Sequence, residues 1–365
     1  MKTLKFIPTD QTQKQFASVL RKNVHNYFQE NGISPKGNFA MVLKTIAMFS
    51  LYLLPFAAIL LFPMNPWMAV PLVIIMGIGS SGIGMSVMHD AIHNSYSDKE
   101  WVNRLLGRTI YLLGSSVFTW KMQHNIFHHA YTNIEGHDED IAGKFVMRLS
   151  EHAPLKKIHR TQHFHAFLFY SLLTLSKLVT DFKQMVDYTK AGIAAKHRVK
   201  PNVEFTKMSI AKAVYLFAFI GLPVIITGFA WWQVIIGFLI MHFTAGFILS
   251  TIFQMAHVVE GAEQVLPNEH GVIETEWAVH ELLTTANFAR NNLFLNWYIG
   301  GLNFQIEHHL FPKICHIHYK NISPIVEQTA REFGIQYNLQ PTFTRALVSH
   351  FRRLKQLGRQ PQASE

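Results

Sequence analysis

Two long stretches of this chain contain no Asp, Glu, Lys or Arg. They run from Thr45 to Met88 and from Ala213 to Ala256, 44 residues each. A helix that crosses a bilayer needs roughly 20 apolar residues, so each stretch is long enough for two spans and a tight turn. Pro63-Met-Asn-Pro66 marks the first turn and Gly228-Phe-Ala-Trp-Trp232 the second. Pro and Gly punctuate such turns, and Trp67, Trp231 and Trp232 suit a water–lipid boundary. The expected spans are residues 42–62, 67–87, 212–229 and 232–254.

All 33 Lys and Arg lie outside these stretches. Lys36, Lys44, Lys99, Arg104, Arg108, Lys207 and Lys212 flank span ends, and the turns between paired spans carry none. The positive-inside rule then puts both termini and the long middle segment in the cytoplasm. The net charge of +10 therefore reads as membrane topology, and no nucleic-acid partner is expected. With 49 % hydrophobic residues the chain is too apolar to be disordered, and its lone Cys315 excludes a disulfide scaffold. No cleaved signal is expected in the polar first 39 residues.

Two shorter apolar runs, Thr109–Trp120 and Phe164–Leu175, are too short to cross. They are expected to lie in the interface, and Phe16–Phe28 shows helical apolar spacing and is expected to do the same. The expectation is an all-α integral membrane protein with four transmembrane helices in two hairpins, interfacial helices and a cytoplasmic His-rich helical cap. Its expected parts are a cytoplasmic or interfacial segment 1–39, a membrane domain 40–323, and a C-terminal helix with a basic tail, 324–365. The tail Phe351-Arg-Arg-Leu-Lys355 is basic enough to touch anionic lipid.

The 21 histidines cluster. His89-Asp-Ala-Ile-His93 follows the second expected span. His124-Asn-Ile-Phe-His128-His129 follows the first short run. Gln305-Ile-Glu-His308-His309 lies near the C-terminus, and His257 ends the fourth span. Residues i and i+4 share a helix face, so His89 with His93, and His124 with His128, can each bind one metal. His129 lies about 100° further round and can reach a second metal. Gln305 and His309 repeat the spacing, with His308 beside them. With four spans, all these clusters fall on the cytoplasmic side.

His89, His93, His124, His128, His129, His257, His308 and His309 make eight imidazoles. A catalytic zinc takes three protein ligands and water. Eight suffice for two metals with open positions, and imidazole suits iron, copper, zinc and nickel. Asp90, Glu307, Asp138 and Asp140 are candidate acceptors for the outer ring N–H of a ligating histidine. Of the others, His25, His197, His270 and His350 are expected at the surface and His242 in packing. His159, His163 and His165 read as interfacial. His280, His316 and His318 read as supporting or substrate-facing groups.

At these residues the chain resembles the membrane fatty acid desaturase family, from roughly Thr45 to Ser323. Gly300-Gly-Leu-Asn-Phe-Gln-Ile-Glu-His-His-Leu-Phe-Pro312 looks like the third box of the front-end (delta-5/delta-6, linoleoyl-CoA-like) type, in which Gln replaces the first His, as Gln305 does here. Phe127-His-His-Ala-Tyr-Thr-Asn133 followed by Asp138-Glu-Asp140 looks like the same branch. The resemblance implies two iron ions held by the eight histidines, with Gln305 a weak ligand or an orienting group. It implies dioxygen as co-substrate and a fatty acyl lipid or acyl-CoA as substrate. Without the His-Pro-Gly-Gly signature of a fused haem domain, as in bacterial members, it also implies a separate electron donor. That donor would be of ferredoxin or cytochrome type with a reductase, and the location a bacterial inner membrane.

An unactivated C–H bond offers ordinary side chains no handle, which places the chemistry on a metal. The expected reaction removes two hydrogens from adjacent methylenes, at a position set by how far the chain enters. Lys121, Arg148 and Lys156 are candidates for attracting headgroup phosphates. A membrane di-iron hydroxylase or monooxygenase shares such boxes and is the alternative. A transporter would bury its ionisable groups at mid-span, where only His242 lies here.

Overall fold

The computed structural model describes residues 4–142 and 145–363. It is mostly helical; the strands among the described residues are two parallel two-residue pairs, Lys5–Phe6 with Val272–Ile273 and Asn287–Phe288 with Leu339–Gln340. The chain divides into two compact units. The span unit comprises residues 38–122 and 167–251, and the box unit 1–37, 123–166 and 252–365.

Among the described residues, four helices are long and apolar enough to cross a membrane: Phe39–Leu61, Pro66–Ile92, Pro201–Ile226 and Trp231–His257. The first two begin where sequence chemistry says they should. Asn38 accepts from the Ala40 N–H at 2.9 Å and Asn65 from Trp67 at 2.9 Å, satisfying donors that a helix start leaves open. Pro66 fills a first-turn position that needs no N–H. In the span unit the first two helices pack closely because Gly79 carries no side chain. A Cβ there would lie 2.5 Å from the Tyr52 nitrogen, and one at Gly77 would lie 2.6 Å from Thr244 Cβ. Small residues serve the same purpose between membrane helices generally.

The boundaries differ from expectation in one informative place. The third helix starts at Pro201, not near 212, so Glu204, Lys207 and Lys212 lie within it. Lys212 is buried because its ammonium is fully partnered, as described below. The Thr109–Trp120 run is not one interfacial helix. A 3₁₀ segment, Arg108–Leu113, ends at Gly114 in the left-handed region (φ 77°), and a short helix follows at Val117–Trp120. The second run is divided between the helices Gln162–Tyr170 and Leu173–Lys190.

In the box unit, the helix Gln11–Glu30 buries Phe16, Ala17, Leu20, Val24 and Phe28. They pack against Tyr319, Ile322, Val326 and Ala330 of the helix Tyr319–Glu332. The apolar face expected to lie on the membrane is thus covered by protein. The helix Phe343–Leu357 closes the unit. Its last carbonyls are capped by Arg148, whose guanidinium donates to Leu357 O at 2.6 Å, Gln360 O at 2.8 Å and Ala153 O at 2.7 Å. Arg148 is fully buried, so the expectation that it meets a phosphate is wrong: it is a structural clamp. Lys121 and Lys156 are exposed.

Candidate metal centre

Two of the three histidine boxes are attached to π-helical turns. Lys121–His128 is π-helical throughout, and Ile83–Met88 is π-helical immediately before His89. Such turns inside α-helices recur at functional sites. The wider turn fans the second box out. The His124 and His128 rings lie nearly parallel, 19° apart, while His129 stands edge-on to both, at 89° and 80°.

In the box unit, six imidazoles from three separated segments converge. His128, His257 and His309 are buried, with ligand nitrogens all within 4.8 Å of one another. Their ring centroids are 4.6 to 4.8 Å apart. The remaining three lie alongside: His129 is 4.5 Å from His308 and 4.4 Å from His309, and His124 is 5.8 Å from His308. Phe253 covers the His124, His128 and His257 rings at 5.8, 4.9 and 5.3 Å.

Buried carboxylates hold the outer nitrogens. His128 Nδ1 is 3.1 Å from Asp138 Oδ2 and 3.5 Å from Asp140 Oδ2. Burial works against the His128 cation, but Asp138, Asp140 and Glu281 outweigh it and push the imidazole up to about 9. His309 Nδ1 is 2.8 Å from Glu281 Oε2, and the Thr132 hydroxyl lies between the boxes, 2.9 Å from that carboxylate oxygen and 2.7 Å from the His128 carbonyl. Burial raises the Glu281 carboxyl well above its ordinary range, against the pull of Thr132 and His128. His308 Nδ1 meets the Tyr319 hydroxyl at 3.2 Å.

These residues fit a metal. The inner nitrogen of His128, Nε2, is buried and has no hydrogen-bond partner among the described residues, while its outer nitrogen is fixed by a carboxylate. That is how a ligating histidine is built. Two ligands about 2.1 Å from one metal stand at most about 4.2 Å apart, so the triad needs only a small contraction.

The first box belongs to the span unit. His89 and His93 are buried there, 4.8 Å between ring centroids, with Trp120 edge-on to both at 5.7 and 6.0 Å. His89 Nδ1 is 3.7 Å from Asp90 Oδ1, beyond hydrogen-bond range. Glu307, also a candidate acceptor for a histidine, instead takes hydrogen bonds from Asn287 Nδ2 at 2.7 Å and the Tyr337 hydroxyl at 2.8 Å. Gln305 is fully buried, its amide beside the His257 ring.

Sequence reasoning missed Glu281 and Thr132. The available signal was one acid inside the apolar run Trp277-Ala-Val-His-Glu-Leu-Leu-Thr284, which forms a buried helix. It also misplaced His350, which is fully buried, its ring nitrogen Nδ1 2.7 Å from the Val258 carbonyl. His25, His197 and His270 are exposed as expected. His280 donates from Nε2 to the Thr132 carbonyl at 2.8 Å, and His318 Nε2 bonds the Lys36 carbonyl at 3.0 Å. His159 and His165 bond the carbonyls of Phe145 and Val146. His242 bridges the Tyr215 hydroxyl and Thr174.

Residues 65–341, which include all three boxes and His257, match the family model described as fatty acid desaturase. The sn-1 linoleoyl-lipid 6-desaturase of Synechocystis is 37 % identical over 95 % of this chain and 97 % of its own length. The protein of the same name from Arthrospira platensis is 35 % identical over 95 % and 94 %. An acyl-lipid (8-3)-desaturase of Physcomitrium patens is 31 % identical over 96 % of this chain and 73 % of its own.

Proposed function

This chain belongs to the fatty acid desaturase family, and on that footing we propose that it desaturates an acyl chain esterified in a membrane lipid, using a pair of iron ions, dioxygen and two electrons from a separate donor protein. The relatives named above are acyl-lipid desaturases, which favours a lipid over an acyl-CoA as the carrier. The reaction balances as a –CH2–CH2– unit, dioxygen, two electrons and two protons giving –CH=CH– and two waters. The observation that carries the metal reading is His128, fixed by Asp138 on one nitrogen and bare on the other, facing His257 and His309.

In this reading His128, His257 and His309 hold one iron, with Gln305 at their edge. His124, His129 and His308, ring to ring in the same unit, would hold the second. Asp138 and Asp140 orient the His128 ring and Glu281 orients the His309 ring. Iron held by these residues would supply the dioxygen chemistry that unactivated C–H bonds require. The chain's own residues do the rest. Phe253 and Trp120 wall the imidazoles with apolar surface, and burial excludes bulk water. The four apolar helices form two hairpins in a bacterial inner membrane, with both termini and the boxes on the cytoplasmic side. The distribution of Lys and Arg supports that orientation.

Expression in a host of known lipid composition, with double bonds mapped in the extracted fatty acids, tests the activity. A new product two hydrogens lighter than its precursor is expected. A product heavier by one oxygen would mean hydroxylation instead.

A further inference from the structure

Asn133 lies just after the second box and belongs to none of the metal-ligand candidates. It is fully buried in the left-handed backbone region, φ 58°, a conformation Asn tolerates better than most side-chain-bearing residues. Its backbone N–H donates to Asp138 Oδ2 at 2.9 Å, the same oxygen that faces His128 Nδ1. Its side-chain Nδ2 donates toward three carbonyls from distant parts of the chain: His257 at 2.9 Å, Thr284 at 3.0 Å and Glu263 at 3.1 Å.

We infer that Asn133 is the positioning residue that assembles the His128–His257–His309 triad. Three of its four bonds reach a triad member or a segment whose carboxylate holds one; the fourth, to Glu263, ties in the loop after His257. The backbone N–H fixes the carboxylate that orients His128. The His257 carbonyl belongs to a ligand candidate itself. Thr284 ends the Trp277–Thr284 helix, whose Glu281 holds His309 Nδ1. Three carbonyl oxygens converge on one point, so only a donor satisfies it. The amide has two hydrogens for three acceptors, so one bond is shared. Its own oxygen, Oδ1, is buried with no hydrogen-bond partner among the described residues, a cost that the flipped amide would multiply by turning oxygen toward the three carbonyls. The inference rests on the metal reading above, yet it concerns a residue that touches no metal.

The test compares wild type with Asn133→Gly and Asn133→Asp. Glycine keeps the left-handed backbone without strain and removes only the clip. Aspartate keeps the shape and replaces donors with oxygen. Each protein is purified in detergent, stripped of metal and titrated anaerobically with ferrous iron and, separately, with cobalt(II) as a spectroscopic probe. Helix content is followed by circular dichroism. With helix content unchanged, Asn133→Gly should weaken one metal site about 10- to 100-fold, as loss of an outer-sphere partner does, and shift its cobalt spectrum while the other site keeps its affinity. Asn133→Asp should be weaker still. Wild-type affinity and an unshifted spectrum in Asn133→Gly would overturn the inference, even if its melting temperature fell. A wild-type protein that takes up neither metal would instead overturn the metal reading itself.

Discussion

The two units treat buried charge in opposite ways. In the span unit, Asp181 and Lys212 form a closed network. The Lys212 ammonium is 2.9 Å from Asp181 Oδ2 and donates to the Gly114 and Lys177 carbonyls at 2.9 and 2.6 Å. Asp181 also accepts from the Thr119 and Ser115 hydroxyls at 2.9 and 3.1 Å. In the box unit the carboxylates are equally buried, but the chain of bonds from Asp138 through His128 stops at a bare nitrogen. Buried polar groups in folded proteins are nearly always satisfied. A closed network therefore serves the fold, whereas a well-supported network that ends open is built for something not supplied by the chain.

The contrast can be broken in order of effect. His128→Ala removes an open end, and product formation should fall by more than about 100-fold, beyond the loss that an outer-sphere partner alone causes. Helix content should not change. Fatty acid analysis checks it, and a full yield of product would place the chemistry elsewhere. Asp181→Asn strands the Lys212 ammonium. Removing one partner of a buried pair costs about 3–5 kcal/mol, so the variant should unfold at markedly lower denaturant while the folded fraction keeps its metal. Loss of metal from folded Asp181→Asn would erase the distinction between the networks. Glu281→Gln keeps the shape beside His309 and replaces one of the two carboxyl oxygens with an amide nitrogen. Metal affinity should drop about tenfold, near the low end for such partners, as read by metal titration.

The smallest effect sharpens the contrast through pH. His280 and His350, both in the box unit, are held neutral: burial drives each down to about 4, against hydrogen bonds to the Thr132 and Val258 carbonyls. Their folded values lie below the ordinary 6.5. The stability they contribute is complete above about 6.5 and is lost as pH falls toward about 4. Melting temperature should decline across that window, and His350→Gln should flatten part of the decline. An unchanged slope in His350→Gln would show that His350 titrates normally.

Much of this was legible in the sequence. The absence of charge over 44 residues gives the spans because a bilayer tolerates no unpaired charge. The i, i+4 histidines give the boxes because spacing fixes a face. What spacing does not give is the partner of that face. The helix Gln11–Glu30 is amphipathic whether membrane or protein covers Phe16 and Leu20, and only packing against Ile322 and Val326 decides. A flanking lysine reads as a water-facing anchor, yet Lys212 is buried by an aspartate 31 residues away. Arg148 reads as a free cation until the carbonyls more than 200 residues later in the chain meet it. Glu281 belongs to no box, and Asn133, although it ends the stretch around the second box, acts on a carbonyl 124 residues away that no local spacing reveals. The π-helical turns under two boxes leave no mark in a pattern read with an α-helical period.

The most direct measurement is the metal content of active, detergent-purified protein, determined by elemental analysis alongside turnover. The six imidazoles that converge in the box unit predict about two irons per chain and activity that rises with iron loading. Full activity in a protein that carries zinc in place of iron would contradict the account at its centre.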